Sequence, residues 1–124
     1  MIETELLDFI QSSFKSIWSL EVLIFLKQHP ERWWAIDELV RELRGSDHVV
    51  TQSLAMLEAA GLIAADNDGK ARYSPAAPDL NRLADASERA YRERPSLVRR
   101  MILTAPNDKL QTFADAFRFK KDQE

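Results

Sequence analysis

The chain has no cysteine, which excludes disulfides, thiolate metal sites and thiol catalysis. Glycine is scarce: Gly45, Gly61 and Gly69 are the three present, and each falls at a predicted turn. No glycine-rich loop is left to cradle a phosphate. The two histidines, His29 and His48, lie on different predicted elements, with no carboxylate nearby at metal-ligand spacing. Ser12, Ser13, Ser46 and Ser53 lack the strand–turn–helix context that exposes a nucleophile. No apolar run is long enough to suggest a membrane span, and the first residues are acidic where a secretory signal would be basic. The expectation is a cytoplasmic protein with no catalytic residues, no metal site, no cofactor and no membrane partner.

What is present supports one compact unit. The 124 residues are 45% hydrophobic, enough for a single core. Seventeen basic and twenty acidic groups leave a net charge of −3, so no global field draws the chain toward nucleic acid. The imbalance is uneven. Residues 1–13 carry only Glu3, Glu5 and Asp8, whereas residues 79–124 hold ten Lys/Arg against eight Asp/Glu.

Residues 35 to 74 carry the most organised pattern. Leu39, Val40 and Leu43 mark the inward face of a helix that Gly45 is expected to interrupt. Ser46 is placed to cap the next helix through its hydroxyl. There Val50, Leu54 and Leu57 recur as one apolar stripe, and Gly61 ends the helix. Leu62-Ile63 opens a strand, Asp66-Asn67-Asp68-Gly69 is hairpin chemistry, and Lys70-Ala71-Arg72-Tyr73 returns. Alternation sends Lys70 and Arg72 to one face, Ala71 and Tyr73 to the other. Arg32-Trp33-Trp34 is expected as a short third strand. Ala35 stands where a capping hydroxyl belongs, with Glu38 in the place of the capping-box acid.

In DELVREL, VTQSLAMLEAAGLI and DNDGKARY the chain resembles the winged helix-turn-helix superfamily of bacterial regulators, most closely MarR-like proteins, over about residues 16–75. The resemblance implies a mainly α fold: a winged helix-turn-helix with a small antiparallel β wing and additional N- and C-terminal helices. It also implies a recognition helix in a DNA groove. With the apolar stripe buried, that helix would present Asp47, His48, Thr51, Gln52 and Ala55. Gln pairs with adenine, Thr touches a thymine methyl or bonds a base edge, and His donates to guanine. On the wing, Lys70 and Arg72 are the expected phosphate or minor-groove contacts. The DNA-binding set is therefore His48, Thr51, Gln52, Lys70 and Arg72.

One departure opposes this. Ser46 to Ala60 contains no Arg or Lys, and it carries Asp47 and Glu58. Cationic side chains supply most non-specific affinity for DNA. In this half of the chain seven basic residues face nine acidic ones. Two functions stay open: a dimeric DNA-binding transcriptional regulator, or a winged-helix interaction module that contacts a protein partner and not DNA.

The flanks are expected to be helical. Leu6, Ile10, Ser13, Ile17, Leu20 and Ile24 form one stripe over the first 28 residues, with Phe14, Trp18, Val22 and Phe25 on a second side. One core helix is expected, broken if anywhere near Ser12-Ser13. Residues 1–78 read as the winged unit and 79–124 as a helical extension, packing on it or forming a dimer interface. Asp79 is expected to cap a helix bearing Leu80, Leu83, Ala84, Ala90 and Tyr91. Pro95 breaks it ahead of Leu97, Val98, Met101 and Ile102, and a last helix carries Leu110, Phe113, Ala114 and Phe117. A homodimer through residues 1–28 and 79–121 is expected because Phe9, Phe14, Phe113, Phe117 and Phe119 exceed what a lone domain needs.

Overall fold

The computed structural model describes residues 3–104, and the expected last helix, with Phe113, Phe117 and Phe119, lies outside them. The described chain is mainly helical with one small antiparallel sheet. The elements are α1 (Thr4–Ser13), α2 (Ile17–Gln28), α3 (Ile36–Leu43), α4 (Asp47–Ala59), β1 (Ile63–Ala65), β2 (Ala71–Tyr73), α5 (Pro78–Glu93) and α6 (Pro95–Leu103).

The N-terminal stretch is two helices bent by 102°, not one. The break falls just after the two serines. Phe14 adopts an extended backbone, and Ser16 then starts α2 as its cap, its Oγ accepting from Ser19 N at 3.2 Å. Ser16 N donates in return to Ser19 Oγ at 3.4 Å. This reciprocal cap satisfies donors that a continuous helix would have bonded four residues back. The bend buries part of each expected stripe: Ile17, Ile24 and Phe25 are half-buried and Trp18 is exposed, while Leu23 and Leu26, outside both stripes, enter the core. Leu20, Val22, Leu23 and Leu26 on α2 are fully enclosed, as are Ile10 and Phe14. Among the described residues no single helix is long and apolar enough to cross a membrane.

Helix α3 ends differently from the expectation placed on Gly45. Arg44 takes the left-handed conformation at φ 58°, and both its N–H and that of Gly45 return to the Val40 carbonyl. Gly45 serves a neighbour instead: a Cβ there would lie 3.2 Å from the Trp18 ring. Helix α4 ends as expected. Gly61, at φ 78°, donates to Glu58 O, and Leu62 donates to Leu57 O, the paired bonds of a Schellman cap.

The hairpin turn is built by one aspartate and one glycine. Asp66 Oδ1 accepts from Asp68 N at 2.9 Å and from Lys70 N at 2.8 Å, and Gly69 supplies the positive φ of 80°. Gly69 N reaches Asp66 O at 3.0 Å, a type I turn followed by a left-handed glycine. The register pairs Ile63 with Tyr73 and Ala65 with Ala71. The expected third strand is reduced to a single bridge, Trp34 with Ala71, whose two hydrogen bonds are each 2.8 Å. The chain is still turning through Pro30, Glu31 and Arg32, so the extended stretch before α3 begins at Ile36 is brief.

Helices α5 and α6 share the core of the rest. Leu83, Ala84, Val98, Met101 and Ile102 join the same buried cluster as Leu20, Leu39, Leu57 and Ile63. Polar ties reinforce the contact: Gln11 Nε2 donates to Met101 O at 3.1 Å, and Tyr91 OH donates to Glu21 at 2.6 Å. Asp79 does not cap α5. The helix begins at Pro78 on an uncapped Ala77, where the missing proline N–H is no loss. Asp79 instead accepts from Arg82.

Phe9 and Phe14 belong to the chain's own core. Both are buried, in an edge-to-face contact with centroids 5.8 Å apart. They offer nothing to a dimer interface. Among the described residues the large exposed apolar side chains are Trp18 and Leu103.

Candidate functional site

Helix α4 begins where Ser46 Oγ accepts from Val49 N at 3.1 Å. That cap fixes where the helix starts. Val50, Ser53, Leu54 and Leu57 turn inward, and Asp47, His48, Thr51, Gln52 and Ala55 face outward. The side chains of His48, Thr51 and Gln52 form no hydrogen bond or ion pair among the described residues, so their polar groups are open to a partner. Asp47 lies in the first turn, where it suits the helix dipole and repels an approaching anion.

The hairpin presents the expected cations. Ala71 is buried and Arg72 exposed, so the alternation places Arg72 outward. Its Nε donates to the Pro30 carbonyl at 3.0 Å and its guanidinium lies 6.0 Å from the Trp33 ring. This anchor holds the group while its terminal nitrogens remain available. Lys70 is exposed and its ammonium has no hydrogen-bond or ion-pair partner among the described residues. Arg41 and Arg44, at the end of α3, are likewise exposed and unpartnered. Arg32 is engaged: it pairs with Glu38 and lies 3.9 Å over the Trp34 ring.

Structure brings His48, Thr51 and Gln52 onto one face and exposes Lys70 and Arg72 on the hairpin that follows. No hydrogen bond or ion pair joins the two sets among the described residues. Among these residues no cluster of His, Asp and Glu is arranged to hold a metal ion.

The cap of α3 shows how local signals were half legible. Ala35 gives no side-chain cap, yet Glu38 Oε1 accepts from Ala35 N at 2.9 Å. That bond first, then Arg32, holds the Glu38 carboxyl below its usual 4.5. Sequence reasoning missed the Trp18–Gly45 contact and the tie from Tyr73 OH to Asn81 Oδ1 at 2.6 Å, which links β2 to α5. Trp18 and Gly45 are far apart in sequence, and Tyr73 and Asn81 lie on different elements, so no helix or strand periodicity marks either pair.

Comparison with models of known protein families, with characterised proteins and with solved structures finds no match.

Proposed function

We propose that the chain is a winged helix-turn-helix protein that binds duplex DNA as a cytoplasmic transcriptional regulator. In this reading α4 enters the major groove and the β1–β2 hairpin is the wing. The observation that carries it is the open polar face of α4: among the described residues, His48, Thr51 and Gln52 have unengaged donors and acceptors on one exposed side. Lys70 and Arg72 on the wing, with Arg41 and Arg44 at the end of α3, supply the phosphate contacts that α4 lacks. Two such units on a two-fold DNA site make a homodimer the fitting assembly. With Phe9 and Phe14 enclosed, its contacts must come from other residues of the terminal helices. Light scattering at micromolar concentration tests that assembly, a monomer mass refuting it.

A second reading is favoured by one observation. No Lys or Arg lies between Ser46 and Ala60, and Asp47 stands where a phosphate would approach. On this reading the fold is an interaction module, and the same face of α4 meets a protein.

The deciding experiment is a binding screen of genomic DNA fragments at low salt, repeated at high salt. The regulator reading expects selective retention of a subset of fragments, weakened as salt rises. Absence of affinity even at low salt refutes it in favour of the interaction module.

A further inference from the structure

Where α1 meets the C-terminal half of α5 an open cleft of about 290 Å³ remains. Its floor is apolar: Leu6 from α1 with Ala86 and Ala90, one turn apart on α5. Its rim is charged with both signs, Glu3 and Glu93 against Arg89 and Arg94.

These four charges are unlike those further up the same helix. From Asp79 to Glu88 every charged side chain of α5 has a partner. Arg82 bonds Glu5 at 3.0 Å and Asp79 at 3.4 Å, and Lys27 of α2 holds both Asp85 and Glu88. At the cleft the pattern stops. The side chains of Glu3, Arg89, Glu93 and Arg94 make no hydrogen bond or ion pair among the described residues. A purely anionic ligand would face two carboxylates there, and a purely cationic one two guanidiniums. A neutral apolar ligand would engage none of the four. The volume suits a molecule at the small end of the range that protein pockets accept.

We propose that this cleft binds a small zwitterion with an apolar side chain, the chemical class of a free aliphatic or aromatic α-amino acid. The guanidiniums of Arg89 and Arg94 take its carboxylate, for which their planar donor forks are matched. The carboxylates of Glu3 and Glu93 take its ammonium, and the side chain covers Leu6, Ala86 and Ala90. The inference is independent of what α4 contacts.

Calorimetric titration of the full chain with L-leucine, 4-methylpentanoate and 3-methylbutylamine tests it. Leucine is expected to bind, with each one-charge analogue at least about tenfold weaker, since each forfeits one charge-assisted pairing. Arg94→Gln and Glu93→Gln are each expected to weaken leucine by a similar factor. Arg82→Gln, on the same seam but outside the cleft, is expected to leave it unchanged. Ala90→Leu fills the floor and should abolish binding; circular dichroism confirms its fold, and the Gln variants carry the test should it fail to fold. No heat with leucine or phenylalanine at millimolar concentration overturns the proposal. So does equal binding of the analogues, or a fall in mass with Arg89→Glu and no leucine effect, which would assign the cleft to a second copy of the chain.

Discussion

The indole of Trp18 packs against Gly45, so closely that a Cβ at position 45 would lie 3.2 Å from the ring. Trp18 is 36% exposed, and its ring is therefore partly held by the backbone of the α3–α4 turn. Gly45 does not occupy a positive φ, so alanine there meets no backbone strain, only this contact. In a Trp18→Ala background, Gly45→Ala is expected to stabilise by about 0.4–1 kcal/mol through the unfolded chain. With Trp18 present the gain should vanish. A double-mutant cycle by urea denaturation reads the coupling, and additivity would deny the contact.

Gly61 and Gly69 share a positive φ but not a neighbourhood. A Cβ at Gly61 would lie 3.3 Å from Leu80, whereas at Gly69 it meets nothing within 4 Å. Gly69→Ala should therefore cost the backbone term alone, about 1–2 kcal/mol. Gly61→Ala should cost more, because Leu80 of α5 must also move. Equal losses in denaturant midpoint would mean that Leu80 yields freely.

On the proposed regulator function, contacts with DNA should divide by type. Changing Lys70 and Arg72 together to Ala is expected to weaken all sequences alike and to flatten the salt slope by about two units per subunit. Gln52→Ala should cost about 1–3 kcal/mol at the preferred site only, since a base-edge contact discriminates and a phosphate contact does not. Fluorescence anisotropy on specific and scrambled duplexes separates the two. A uniform loss from Gln52→Ala would remove it from base reading.

Acid should weaken the start of α3. The Glu38 carboxyl is held below 4.5, first by the Ala35 N–H and then by Arg32. A depressed folded value means that the charged form favours folding above 4.5, and that the contribution is lost as pH falls through the folded value. Glu38→Gln should lower stability at neutral pH and flatten its decline in acid. Parallel pH profiles of the urea midpoint for the two proteins would contradict this.

Much of the middle of the chain was legible because its signals are local. The stripe of Val50, Leu54 and Leu57 faces inward, Ser46 caps α4, and Gly61 ends it. Asp66 and Gly69 make the turn within five residues of sequence, through bonds that need no distant partner. The exposure of His48, Thr51 and Gln52 follows from that stripe by helical geometry.

Sequence alone determined the mainly helical content, the positions of the α4 cap and the hairpin, and which polar residues α4 turns outward, because each depends on neighbours within a turn or two. Tertiary structure decided the rest. It bent the N-terminal stretch by 102°, so that α1 and α2 both send side chains into the same core. It enclosed Phe9 and Phe14, which as pattern alone could equally have faced a partner. It gave the left-handed conformation to Arg44, and it set Gly45 against Trp18, far back in sequence, where a side chain would crowd the ring. Such choices turn on close packing between segments distant along the chain, and no local spacing encodes that.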